Sequence, residues 1–157
     1  ITSIDVHDLA RTAAFFDIAP VYLVHPAKGM HALVRDMLSY WLEGEGARRN
    51  PQRGEALKQI RLVHRLEDAL RDRPWRLLYT SARPPVVQTI PPEAIAPGDG
   101  DWLVVFGTGW GLAHELLPKP YGWLSPIEGI GRVRALSVRA AAAILLGRIA
   151  ANVSRKG

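Results

Sequence analysis

A chain of 157 residues, 48% hydrophobic and 22% charged, has the balance of one soluble α/β domain and excludes a disordered or fibrous segment. It contains no cysteine, which excludes disulfides and thiolate metal sites, and its five histidines show no HxH or HExxH spacing that would suggest zinc. The net charge is +5 and sixteen arginines stand against four lysines, so polyanions are reasonable partners, because guanidinium groups bind phosphate bidentately.

In chain order, Ser3 is the expected N-cap of a helix over residues 4–16, with Leu9, Ala13 and Phe16 at helical spacing. The apolar run Val21-Tyr22-Leu23-Val24, bounded by Pro20 and Pro26, predicts a buried strand. His31, Val34, Leu38 and Trp41 predict a second helix over 29–42, ended by Gly44 and Gly46. Residues 47–59 hold Arg48, Arg49, Arg53 and Lys58 with Asn50-Pro51 and read as a basic loop or turn. A strand is expected over 59–64, a helix over 66–73 and a strand over 76–80, with a turn at 81–85. The proline-rich stretch 84–101 reads as a long surface loop. Trp102-Leu103-Val104-Val105-Phe106 is the clearest strand and runs into Gly107-Thr108-Gly109-Trp110-Gly111. A short helix over 112–117, a strand over 121–124, a loop over 125–134 and an alanine-rich helix over 136–152 complete the chain.

Strands alternating with helices, and apolar throughout, predict a mostly parallel sheet covered by helices on both faces. Ligands in such sheets bind beyond the carboxyl ends of the strands. Three loops have that position: 80–85, 107–111 and 125–134. Glycines directly after a buried strand let backbone approach a ligand and leave N–H groups free at the next helix, which makes 107–111 the leading candidate. Its pattern is neither a Walker loop nor G-x-G-x-x-G, and a tight turn without a ligand would look the same. The apolar stretch 140–153 is broken by Arg148 and is shorter than the roughly 20 residues a spanning helix needs, so no membrane anchor is expected. No secretory signal is visible, and the opening Ile1 leaves room for a natural segment ahead of it.

Three segments together resemble the cofactor loops of the SPOUT, or α/β-knot, RNA methyltransferases: Phe106 to Leu112, Ser125-Pro126-Ile127-Glu128-Gly129, and Leu136-Ser137-Val138-Arg139-Ala140-Ala141-Ala142. The chain is similar in particular to a bacterial single-domain group labelled guanine-N1 tRNA methyltransferase-like. Asp5 to Phe15 resembles the first motif of the ribose-methylating branch, with Arg11 on the motif arginine and Asp5 where asparagine is usual. Gly109 stands where the second motif has glutamate, and Ala135-Leu136 replace the third motif's asparagine.

The resemblance implies one SPOUT domain over 1–157 with a C-terminal trefoil knot, acting in the cytoplasm as a homodimer on tRNA or rRNA. It implies S-adenosylmethionine as cofactor, its adenine held by backbone around Leu124, Ile127 and Leu136, with Thr80 and Ser81 on the methionine side. Phe106, Gly107, Thr108 and Gly109 would lie towards the ribose, with Gly129 and Ser137 completing the loops. Arg11 and Asp5 are the expected catalytic residues, Arg11 binding the target phosphate or helping to deprotonate the acceptor. No metal is implied. Plainer roles stand beside these: Arg11 as an ion-pair partner of Asp8 or Asp5, Asp5 as a helix-dipole charge, His7 as structural, and Ser137 as an N-cap. Two other functions stay open at this point, a non-catalytic RNA-binding knot protein and an α/β enzyme that binds nucleotide phosphate at Gly107.

Overall fold

The first helix, α1 (Ser3–Phe15), is capped by Thr2 rather than Ser3. Thr2 Oγ1 accepts from the Asp5 N–H at 3.2 Å, and Asp5 Oδ2 accepts from the Thr2 N–H at 3.0 Å. This reciprocal box needs an acidic or amide side chain three residues after the cap, a spacing that Thr2 and Asp5 have and Ser3 and Val6 do not. The helix stops where Asp17 enters the left-handed region at φ 55° and the Ile18 N–H returns to the Ala13 carbonyl at 2.8 Å.

The computed structural model describes residues 1–107 and 111–156, and the chain divides into two units, Ile1–Asp72 and Arg73–Gly157. In unit 1, β1 (Val21–Val24) pairs in parallel with β2 (Ile60–Val63), with Val21 opposite Ile60. Helix α2 (Lys28–Leu42) lies between them in sequence. The basic segment expected as a loop instead forms α3 (Glu45–Arg49) and α4 (Pro51–Leu57). Asn50 Oδ1 accepts from the Arg53 N–H at 3.1 Å, so Asn50-Pro51 is a helix start, with the cap at Asn50 and proline at the first position, where its missing N–H costs nothing. Helix α5 (Leu66–Leu70) ends the unit's elements. Helix α1 packs on α4, and α2 on α3 and α4, around Val6, Ala10, Leu23, Val34, Ala56, Leu57 and Ile60. Burying a leucine or isoleucine contributes roughly 1.5–3 kcal/mol, which outweighs the weak propensity of such short helices.

In unit 2, β3 (Arg76–Tyr79) is the central strand, flanked in parallel by β4 (Trp102–Val105) and β5 (Gly122–Trp123). The strands therefore form two parallel sheets rather than one, because apolar runs reveal where strands lie but not which strand each one pairs with. A single 3₁₀ turn, His114–Leu116, replaces the helix expected over 112–117. Pro118 disfavours the helical region for Leu117 and stops it there. Helix α6 (Val138–Lys156) begins two residues later than expected, after Ser137, whose Oγ accepts from the Ala140 N–H at 3.2 Å.

Leu78, Ile95, Leu124, Leu145 and Ile149 form the core of unit 2, so α6 covers β3 and the long proline-rich loop. Two polar ties hold that packing. Buried Asn152 donates from Nδ2 to the carbonyls of Pro92 at 3.0 Å and Ile95 at 2.9 Å, and Arg148 forks onto Glu93 at 2.7 and 2.9 Å. Among the described residues no helix is long and apolar enough to cross a membrane.

Candidate functional site

The strand register of unit 2 brings three of the expected loops together. Tyr79 lies opposite both Val105 and Trp123, so Thr80, Phe106 and Leu124, each the next residue, leave the sheet side by side at its carboxyl edge. The Thr80 N–H and Oγ1 both donate to the Val105 carbonyl, at 3.2 and 2.9 Å, and the Leu124 N–H donates to the Tyr79 carbonyl at 2.9 Å. The Thr89 and Ser125 hydroxyls meet at 2.8 Å and join the proline-rich loop to the start of the third loop. The Tyr79 hydroxyl donates to the Pro118 carbonyl.

Leu124 is fully buried, and Phe106 and Ile127 pack against the same cluster, which gives the edge an apolar wall. Gly107 faces Gly111: a Cβ on Gly107 would lie 2.6 Å from the Gly111 carbonyl carbon, so only glycine lets the second loop fold back this closely. Gly111 itself has φ +77°. The expected residues Thr108 and Gly109 lie outside the described residues. Ser81 Oγ accepts from the Arg83 N–H at 3.0 Å and shapes the first loop.

The third loop runs outward. Gly129 and Ser137 are exposed, Leu136 is half-exposed, and Arg134 donates to the Gly129 carbonyl at 3.1 Å. The backbone beside Gly129 is open, with no atom within 4 Å of where a Cβ would sit.

Asp5 and Arg11 are placed by α1 in unit 1. The Asp5 carboxylate accepts from the N–H and Oγ1 of Thr2, and Arg11 is exposed with no carboxylate partner among the described residues. His7, on the same helix, sits edge-on to Trp41 with ring centroids 5.6 Å apart, and the Arg53 guanidinium lies 4.5 Å from the Trp41 ring centre. Burial first, and then Arg53, lower the His7 pKa from its ordinary 6.5. Arg11 adds a smaller push in the same direction, and Asp8 opposes them. In the sequence, residues 47–59 read as a basic loop or turn and Trp41 as one position of a separate helix, so this grouping does not show there. The available signal is Asn50-Pro51, which makes Arg53 helical and fixes the face it occupies.

A family model described as SAM-dependent RNA methyltransferase matches residues 1–151. The chain belongs to that family. An uncharacterized protein of Aquifex aeolicus (strain VF5) is 37% identical to this methyltransferase over 94% of the chain and 77% of its own length. A tRNA (guanine-N(1)-)-methyltransferase of Oleidesulfovibrio alaskensis is 34% identical over 95% of the chain, but the match spans only 36% of that longer protein. Among solved structures, the TrmH/SpoU tRNA modifying enzyme of A. aeolicus superimposes with a TM-score of 0.67 at 16% identity, covering all of this chain and 73% of the other. At that identity the likeness establishes the fold.

The edge of unit 2 suits the family's cofactor. Phe106, Leu124 and Ile127 offer an apolar wall for an adenine, Gly107 a close backbone approach, Thr80 and Ser81 hydroxyl groups, and Gly129 open backbone.

Proposed function

We propose that this methyltransferase modifies tRNA or rRNA through a site at the carboxyl edge of β4-β3-β5. The observation that carries the reading is the register that sets Thr80, Phe106 and Leu124 level with one another. Bound S-adenosylmethionine supplies an electrophilic methyl group on a sulfonium. The residues assigned to hold it are Thr80, Ser81, Phe106, Gly107, Thr108, Gly109, Leu124, Ile127, Gly129, Leu136 and Ser137. With the cofactor bound, Phe106, Leu124 and Ile127 would shield the adenine from water, and backbone groups near Leu124 and Ile127 would read its edge, which would make recognition tolerant of side-chain change.

On the acceptor side, Arg11 binds the phosphate beside the target nucleotide and favours loss of the acceptor proton, because a nearby cation stabilises the developing anion. Asp5 is assigned to the same centre, and its bonds with Thr2 make its part the fixing of the helix that carries Arg11. The reading includes the C-terminal trefoil knot, one domain over 1–157, a homodimer and a cytoplasmic location. The family match and the chain's positive charge support it.

Calorimetric titration with S-adenosylhomocysteine tests the cofactor site. Wild-type protein binds it at micromolar concentration, and Gly107→Val, whose side chain collides with Gly111, does not. Label from S-adenosylmethionine then passes into a total tRNA or rRNA pool. A folded protein that binds no S-adenosylhomocysteine and labels no RNA would overturn the reading.

A further inference from the structure

We propose that His7 and Arg53, gathered on Trp41 beside Arg11, form a second seat for RNA on unit 1, one that takes a phosphodiester of the substrate's backbone. The inference rests on the RNA methyltransferase reading and extends it to residues that reading does not use. Several other cations of unit 1 are already engaged. Arg49 pairs with Glu45 at 3.3 Å, Arg71 with Asp68 at 3.4 Å, and Lys58 with Glu55, while Arg61 donates to the carbonyls of Lys58 and Ile60. Arg11 and Arg53 differ from these, since neither has a carboxylate partner among the described residues.

Arg53 is also held in place. Its guanidinium lies over Trp41, and Trp41 is fixed in turn: it packs on the unit 1 core, and a Cβ on Gly46 would come within 2.5 Å of its Cε3. A guanidinium stacked on an immobile ring keeps its N–H fork available and loses little entropy when a phosphate arrives. Beside it, the His7 Nδ1 is buried with no hydrogen-bond partner. Burial and the two guanidiniums disfavour a proton on that ring, against the single opposing charge of Asp8. Cation-capable groups that repel one another are relieved by an anion, and a phosphodiester supplies one charge with two acceptor oxygens. Binding it restores the proton to His7, so uptake of RNA and of a proton are linked.

The test follows the His7 ring by NMR through a pH titration of the whole chain, with the resonance assigned from His7→Gln. The probes are a mixed-sequence RNA oligonucleotide and, separately, inorganic phosphate. RNA is expected to raise the His7 pKa at concentrations where inorganic phosphate does not. Arg53→Gln is expected to abolish that rise and weaken RNA binding about tenfold, with S-adenosylhomocysteine affinity unchanged, and Arg53→Lys to restore part of both. The seat is overturned if saturating RNA leaves His7 unmoved, if Arg53→Gln binds RNA as wild type does, or if inorganic phosphate acts as well as RNA. Those results with S-adenosylhomocysteine still bound remove the seat alone. Absence of binding to both RNA and S-adenosylhomocysteine removes the methyltransferase reading with it.

Discussion

Unit 1 carries ten basic and ten acidic side chains, whereas unit 2 carries ten and five, so all of the chain's net +5 belongs to the half that holds the β4-β3-β5 sheet. Salt screens attraction beyond a Debye length of about 8 Å. At the approach to that distance a surface with net positive charge draws a polyanion where a balanced one does not, so steering of RNA is expected to fall to unit 2. Unit 1, with no net charge, can contribute only locally, as in the seat proposed for Arg53 and His7. The two units are also held differently. Unit 1 depends on an apolar core beneath small helices, while unit 2 adds buried polar ties between α6 and the proline-rich loop.

The largest expected effects test that second contrast. Leu78 is fully buried at the centre of β3, and Leu78→Ala should cost about 3 kcal/mol of stability, measured by denaturant unfolding. Asn152→Leu keeps the volume but leaves the Pro92 and Ile95 carbonyls without their donor, at about 2 kcal/mol. The exposed fork of Arg148 on Glu93 matters less, and Arg148→Gln should cost only about 0.5–1 kcal/mol. If Arg148→Gln cost more than Asn152→Leu, the ranking of buried over exposed ties in unit 2 would be reversed.

Much of unit 2 is legible in the sequence because its strands are short apolar runs ended by glycine or proline, and Trp102 to Phe106 feeding Gly107 marks both a strand and a loop. What the residues do not show is pairing. The order β4-β3-β5, and with it the meeting of Thr80 and Leu124, depends on neighbours far apart in sequence. In unit 1 the difference between expectation and structure is local. Asn50-Pro51 serves turns and helix starts alike, and tertiary burial of Gly54, Ala56 and Leu57 decides for the helix. The aromatic platform under Arg53 follows from that helix and is invisible without it. The loops proposed to hold the cofactor are readable by resemblance alone, because a site built from backbone would leave few side-chain signatures.

The charge contrast is sharpened by salt dependence. Arg132 and Arg134 are exposed on the third loop of unit 2. Replacing both with glutamine should weaken RNA binding and flatten the plot of log affinity against log salt, by about 0.7 for each single-strand phosphate that is no longer neutralised. Lys28→Gln, an exposed change of the same kind in the neutral unit, should leave that slope nearly unchanged. Equal effects from the two units would mean that net charge does not decide where RNA is captured.

The smallest effect, and the one most specific to unit 1, is the pH dependence that His7 imposes. Its folded pKa is lowered, so below 6.5 the unfolded chain takes up a proton that the folded chain resists, and stability falls with pH in that window. Above 6.5 the ring is neutral in both states and contributes no slope. The other histidines also titrate, so the measurement is the difference in unfolding midpoint between wild type and His7→Gln as pH is lowered from above to below 6.5. His7→Gln should gain on wild type as the pH falls. Arg53→Gln should reduce the slope that His7 contributes, since it removes the second of the two main causes and leaves burial. A gain in the opposite direction would show that Asp8, and not the two guanidiniums, controls the ring, and the contrast between a self-repelling site in unit 1 and a charged surface in unit 2 would then fail.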